Sequence, residues 1–113
     1  MKHLKIEFGF GVGLDADGNK IRPAFRELGI REIREGAVNL FEGCTFIRTD
    51  GDWYDRETKR LYSETGVTIS ILIKPGSAAS LEKKIENLVK VIKRSLNQKA
   101  VYVTCYQVDA QLY

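Results

Sequence analysis

The chain is poor in the residues that usually announce catalysis or covalent architecture. Its 113 residues hold one histidine, one methionine, one tryptophan, two cysteines and two prolines. With His3 alone near the chain end, histidine acid–base chemistry and histidine-rich metal sites have almost nothing to work with. Cys44 and Cys105 are too few and too far apart for a zinc site or a redox pair. Both sit in strand-like runs, where a free cysteine packs as a small apolar residue; a bridge between them is the alternative, which the lack of a secretion signal argues against. No run of about 18 apolar residues exists, so no transmembrane helix and no membrane partner is expected. The opening residues Lys2-His3-Leu4-Lys5-Ile6-Glu7 alternate like a strand and lack the apolar block of a signal peptide. A cytoplasmic protein is expected, with no cofactor and no metal.

Glycine, by contrast, is plentiful, with ten residues. Three of them punctuate Phe8-Gly9-Phe10-Gly11-Val12-Gly13. A period of two puts Leu4, Ile6, Phe8, Phe10 and Val12 on one face of a strand. The other face, His3, Lys5, Glu7, Gly9, Gly11 and Gly13, carries no side chains in its second half. Glycine within a strand costs stability. Such a face implies close approach of another backbone, a subunit or a ligand, or else a bent strand whose glycines relieve crowding.

Length predicts one domain, residues 1–113, burying roughly two thirds of its unfolded surface. After the glycine run, Leu14-Asp15-Ala16-Asp17-Gly18-Asn19-Lys20 reads as a turn-rich loop. Asp15, Asp17 and Asn19 alternate as in a calcium loop, but the glycine falls too early and Arg26 stands where the closing glutamate belongs. Nor do Gly9, Gly11 and Gly13 make a dinucleotide fingerprint, since the third glycine comes one residue early.

Residues 21–41 predict a helix with Pro23 in its first turn. Its apolar stripe is Phe25, Leu28, Ile33, Ala37, Leu40 and Phe41, with Arg22, Arg26, Arg31 and Arg34 largely off it. Gly29 and Gly36 weaken this helix by about 1 kcal/mol each but leave a smooth patch for a second helix. Gly43 is expected to close it. Residues 44–49 read as a strand, Asp50-Gly51-Asp52 as a turn, and residues 53–54 and 60–63 as further strand. Residues 66–73 form the clearest strand, ended by Pro75-Gly76. Ser80 is placed to cap a second helix whose stripe is Leu81, Ile85, Leu88, Ile92 and Leu96, with Val89 beside it. Its other face sets five cations (Lys83, Lys84, Lys90, Lys93, Arg94) against Glu82 and Glu86, a net of +3 that equals the whole chain's. Such a run is ordinarily a solvated face. Residues 100–108 give the last strand.

The order β-α-β-β-β-α-β with two amphipathic helices predicts an α+β fold, an antiparallel sheet of ferredoxin-like character with both helices on one face. The helix-free face would show Gly9, Gly11, Thr68, Ser70 and aromatic side chains. So small an open sandwich is expected to form a dimer or higher homo-oligomer.

No serine or cysteine has a base partner visible in the sequence, and the hairpin carboxylates Asp50, Asp52, Asp55 and Glu57 are ordinary in turns. No catalytic residue is assigned and a non-enzyme is expected. Binding has more material. Trp53, Tyr54, Tyr62, Phe46 and Phe10 interleave with Arg22, Arg48, Arg56 and Arg60; aromatic planes stack on bases and arginine forks grip phosphates. The loop leading into the first helix brings Arg22 and Arg26 to a helix N-terminus that favours anions. The expected ligand-binding residues are Phe10, Gly11, Arg22, Arg26, Arg48, Trp53, Arg56 and Arg60, and the expected ligand is a small nucleotide-derived molecule. The competing reading makes Phe46, Trp53 and Tyr62 core residues and the arginines surface charges. A net charge of +3 on a mostly neutral chain argues against a nucleic acid polymer as partner.

One family shares this pattern. Ile6-Glu7-Phe8-Gly9-Phe10-Gly11-Val12-Gly13, the Asp15-Ala16-Asp17-Gly18-Asn19-Lys20 loop, Phe41-Glu42-Gly43-Cys44-Thr45-Phe46, Gly51-Asp52-Trp53-Tyr54, Val67-Thr68-Ile69-Ser70-Ile71 and the basic second helix resemble the first type of phage-encoded Thoeris anti-defence proteins. The resemblance implies a small sponge without catalysis that oligomerises through its helices, in host cytoplasm. It implies that a cyclic ADP-ribose-type signal, made by TIR-domain proteins, is held in pockets shared between subunits; some members also bind cyclic oligonucleotides. A second similarity, to small exported bacterial α+β proteins, rests on Gly43-Cys44-Thr45-Phe46 and Asp50-Gly51-Asp52-Trp53; the missing signal peptide departs from it. The remaining alternatives are a self-assembling or protein-binding module, and an enzyme of the dimeric α+β barrel type using the hairpin carboxylates.

Overall fold

In the computed structural model, which describes residues 2–77, 79–111 and 113, the chain order is β1 (Lys2–Gly11), α1 (Pro23–Phe41), β2 (Thr45–Asp55), β3 (Arg60–Ile73), α2 (Leu81–Leu96) and β4 (Tyr102–Asp109). The four strands form one antiparallel sheet in the order β2-β3-β1-β4. This is the split β-α-β arrangement of ferredoxin-like folds, the α+β class that the sequence pattern predicts. β1 pairs with β3 from Leu4↔Ile73 to Gly11↔Gly66 and with β4 from Lys2↔Asp109 to Gly9↔Tyr102. Among the described residues no helix is long and apolar enough to cross a membrane.

Ile6, Phe8, Phe10 and Val12 of the first strand run are buried, as their alternation requires. They meet Val67, Ile69 and Ile71 of β3, Ile33 and Ala37 of α1, and Leu88, Ile92 and Leu96 of α2. Each fully buried large side chain contributes about 2 kcal/mol. Phe8 and Phe41 pack tilted in this core, with ring centroids 6.1 Å apart. Both helices therefore cover one face of the sheet, and the other stays open.

The two helices meet through glycine. A Cβ built at Gly29 would stand 2.6 Å from Leu96 Cδ2 and 2.7 Å from the Ser95 carbonyl oxygen. At Gly36 a Cβ would meet Val91 at 3.4 Å, an ordinary contact. The smooth patch seen in the sequence is thus consumed inside the chain. Two members of the predicted α1 stripe do not join the core: Phe25 is 63% and Leu28 51% exposed. They precede the close crossing at Gly29, and Phe25 borders an open cleft shared with the last turn of α2 rather than packing into the core.

Local punctuation differs from the sequence reading in three places. The turn is not at Asp50-Gly51-Asp52, so the sheet has one strand fewer than expected. β2 runs on through these residues in register with β3, from Thr49↔Gly66 to Asp55↔Arg60, and the chain reverses over residues 56–59. Asp55 Oδ1 accepts hydrogen bonds there from the N–H groups of Glu57 (2.8 Å) and Thr58 (3.3 Å), and Lys59 takes the left-handed φ of 57°. Helix α1 is closed by Glu42 (φ 67°), whose N–H donates to the Val38 carbonyl at 2.8 Å, with Gly43 one residue beyond. Ser80 occupies the cap position of α2 but has φ 59° and makes no side-chain capping bond.

Before Gly66, β3 pairs with β2 alone, leaving residues 50–55 and 60–65 as a two-stranded arm. Trp53 stacks on Tyr62 there, ring centroids 4.6 Å apart at 18°; Leu61 is 70% exposed. Cys44 lies beside edge strand β2 and Cys105 on edge strand β4, both free. Three strand spacings, roughly 14 Å, separate them, beyond the reach of a bridge. Burial raises the Cys44 thiol pKa, and the Arg34 charge partly offsets this.

Two outcomes are expected. Gly36→Ala should raise the melting temperature through helix propensity worth about 1 kcal/mol. Gly29→Ala should lower it, because overpacking costs about 1–3 kcal/mol; thermal melts of the two variants check this pair. Tyr106 of β4 donates its hydroxyl to Glu7 Oε1 of β1 at 2.5 Å. That hydrogen bond first, then burial, then the Glu7 charge raise the phenol pKa. The raised folded value makes the contribution complete below the ordinary tyrosine pKa of about 10 and lost as pH climbs through the folded value. In Glu7→Gln, an absorbance titration of tyrosinate should find one phenol titrating earlier than in the parent.

Candidate functional site

Residues that alternate away from the core build an open cleft of about 490 Å³ at one end of the helix-free face. Its floor is Gly9 and Gly11 of β1 beside Gly66 of β3, which pair as Gly9↔Thr68 and Gly11↔Gly66. Thr49 enters from β2, Glu64 from the arm, and Tyr102 from β4, opposite Gly9. Tyr102 is 81% exposed, so its ring stands at the rim as a stacking surface.

The fourth wall is the loop after β1. Asp15 Oδ1 accepts from the N–H groups of Asp17 and Asn19, both at 2.9 Å. This turn uses the alternating acidic residues that superficially resemble a calcium loop. The loop is tied to the end of α2: Ala16 N–H donates to the Asn97 carbonyl (2.7 Å), Asn97 Nδ2 to Asp17 Oδ2 (3.2 Å) and Gln98 Nε2 to the Leu14 carbonyl (2.9 Å). Asp15, Gln98 and Lys99 all line the cleft.

The three floor glycines are not equivalent. A Cβ at Gly66 would stand 2.9 Å from Thr49 Oγ1 and 3.0 Å from the Phe10 carbonyl oxygen, so sheet packing itself demands glycine. At Gly9 a Cβ would meet only Tyr102 Cβ at 3.9 Å, and at Gly11 only Gln98 Oε1 at 3.6 Å. A Cβ would fit at both. The fold does not need these two glycines, yet carries their entropic cost.

The eight expected ligand residues do not converge. Gly11 is in the cleft floor. Phe10 borders the cleft, but its side chain is buried in the core on the opposite face; the period of two forbids neighbours in a strand from sharing a face. Arg22 lies at the start of α1, beside Lys20, Phe25 and Arg94. Arg26 and Arg48 come together in a smaller cleft on the helix side. Trp53 is on the open face but on the arm, under Tyr62. Arg56 is at the hairpin tip and Arg60 opposite Asp55, outside the cleft. The sequence reading missed Thr49, Glu64, Gln98, Lys99 and Tyr102 as cleft residues. For Tyr102 the signal was present in its alternation with Val101 and Val103.

Chemically, the cleft offers a bare backbone floor, an aromatic rim, a lysine ammonium, an amide and the Glu64 carboxylate. That set suits a flat, polar small molecule.

No protein-family model and no curated protein sequence matches the chain. Solved structures do share its fold. Phage SAM lyase in complex with S-methyl-5'-thioadenosine superposes with a TM-score of 0.61 at 18% identity, over 98% of this chain and 92% of that one. The B. subtilis GlnK–ATP complex gives 0.55 at 13% identity, over 95% and 82%. The periplasmic divalent cation tolerance protein CutA from Archaeoglobus fulgidus gives 0.53 at 8% identity, over 97% and 87%. The expectation of a non-enzyme is overturned here: the fold carries a phage lyase, also similar in its apo state (TM-score 0.55), so its architecture gives no ground for setting catalysis aside. At these identities it is the fold that the proteins have in common.

Proposed function

We propose that this chain is a phage-type counter-defence module that binds a small adenosine-containing molecule in the open-face cleft. Within that class, the finer reading is a cyclic ADP-ribose-type signal made by TIR-domain proteins, in host cytoplasm. The observation that carries the proposal is the floor: glycine at positions 9 and 11 where the folded chain has room for a Cβ. Space kept open at a cost to strand stability is space for something outside the chain. Tyr102 at the rim supplies a stacking plane for a purine, while Lys99, Gln98 and Glu64 supply polar contacts for a ribose and its substituents. The similarity in fold to phage SAM lyase with S-methyl-5'-thioadenosine and to GlnK with ATP supports an adenine nucleoside as the common ligand element.

A second reading, a self-assembling module, is favoured by the arm. Its Trp53, Tyr54 and Leu61 are exposed beyond the four-stranded body. Homo-oligomerisation through this arm is compatible with ligand binding; the alternative proper is assembly with no small-molecule affinity at all.

Calorimetry with S-methyl-5'-thioadenosine, ATP and cyclic ADP-ribose separates these, followed by heating and chromatography of the released ligand. Binding of at least one is expected, and its recovery intact or altered distinguishes holding from turnover. Gly11→Val should keep the melting temperature, since a Cβ fits there and valine favours strands, while lowering affinity by roughly tenfold or more. No binding by any of the three, with Trp53→Ala changing oligomer size, would leave the assembly reading standing alone.

A further inference from the structure

On the helix side of the sheet, Arg26 of α1 and Arg48 of β2 line one cleft of about 190 Å³. Its other walls are Val12, Ile30 and Val67, with Thr65 and Gly66 at the border. Arg26 is half-buried. Among the described residues neither guanidinium makes an ion pair or a side-chain hydrogen bond; Lys2–Asp109 is the ion pair found there. Asp50, two residues along the same face from Arg48, makes no ion pair with it. Two like charges facing one apolar-walled cleft repel each other, and an anion between them turns that repulsion into two charge-assisted contacts. Arginine matters here, because its planar fork matches the paired oxygens of a phosphate.

Thr65 and Gly66 also border the open-face cleft. They lie where β1 leaves the sheet, its pairing with β3 ending at Gly11↔Gly66 and one further bond from Val12 N–H to the Thr65 carbonyl at 3.0 Å. We propose that the Arg26–Arg48 cleft is a phosphate subsite adjoining the nucleoside cleft, so that the molecule bound is a phosphorylated nucleoside rather than a neutral one. The proposal rests on the nucleoside reading of the open face for the ligand's other end. Free phosphate is the second source of the same chemistry.

The test is calorimetry of the full chain with adenosine, ADP and inorganic pyrophosphate, comparing the parent with Arg26→Gln/Arg48→Gln. The parent should prefer ADP to adenosine by on the order of a hundredfold, about tenfold per guanidinium, and the preference should shrink with added salt. In the double variant ADP should fall to the level of adenosine, whose own affinity stays put. Arg26→Lys/Arg48→Lys keeps both charges, guards against loss of folding, and should retain part of the preference. Equal affinity of the parent for ADP and adenosine overturns the subsite, as does a preference that survives in the glutamine variant. If neither nucleoside binds, the nucleoside reading fails by itself. Pyrophosphate binding that the glutamine variant loses then upholds the anion cleft with free phosphate as its source, and no pyrophosphate binding overturns it too.

Discussion

The two faces of β1 govern this molecule. The strand is central, paired with β3 on one side and β4 on the other, and its apolar face of Ile6, Phe8 and Phe10 lies under both helices. Because side chains alternate, a slip of one residue would push the phenylalanines into water and the glycines into the core. Hydrophobic burial therefore fixes the register, and the bare floor of the cleft inherits that rigidity. The loop that walls the cleft is positioned less directly. Gly29 lets α1 approach Leu96 and Ser95 at the end of α2; this sets where Asn97 and Gln98 emerge, and those two residues hold the loop. A helix contact on one face thus shapes the site on the other.

Much of this framework was legible in the sequence because it follows from periodicity. Alternation placed Ile6, Phe8, Phe10 and Val12 inside, and 3–4 spacing placed Leu88, Ile92 and Leu96 inside. Punctuation was less legible, since it depends on partners. Asp50-Gly51-Asp52 has the composition of a turn, but Glu64 and Thr65 across the ladder keep it extended; an Asx turn at Asp55 reverses the chain instead. Glu42 adopts a left-handed φ at a cost of roughly 1–2 kcal/mol with a glycine one residue away. No composition rule finds that.

The site was half legible for the same reason. That Gly9, Gly11 and Tyr102 share a face is a matter of parity within strands and of register between them. That Glu64, Gln98 and Lys99 join them depends on a crossover and a helix end, which only the folded chain supplies. The arginines show the converse. Interleaved with aromatics along the chain, Arg22, Arg48, Arg56 and Arg60 looked like one surface, yet the fold sends Arg22 to the start of α1, Arg56 and Arg60 to the hairpin end, and Arg48 to a cleft shared with Arg26. Parity explains part of it: Arg48 alternates with Phe46 toward the helices, where Arg34 also lies over the Phe46 ring at 4.7 Å, while Trp53 alternates to the open side.

Two carboxylates, Asp15 and Glu64, line the open-face cleft. The hairpin acids weighed from sequence are committed elsewhere: Asp52 accepts from the Ser63 hydroxyl at 2.6 Å and Asp55 builds the turn. Glu64 is different, because it borders the cleft and makes no side-chain hydrogen bond among the described residues. A carboxylate in water is a weak base. Removal from water against a ligand is the general way in which such a group becomes a stronger one. Asp15 lines the same cleft, but its Oδ1 is committed to the Asp17 and Asn19 N–H groups of its own loop, so the two carboxylates meet the cleft on different terms.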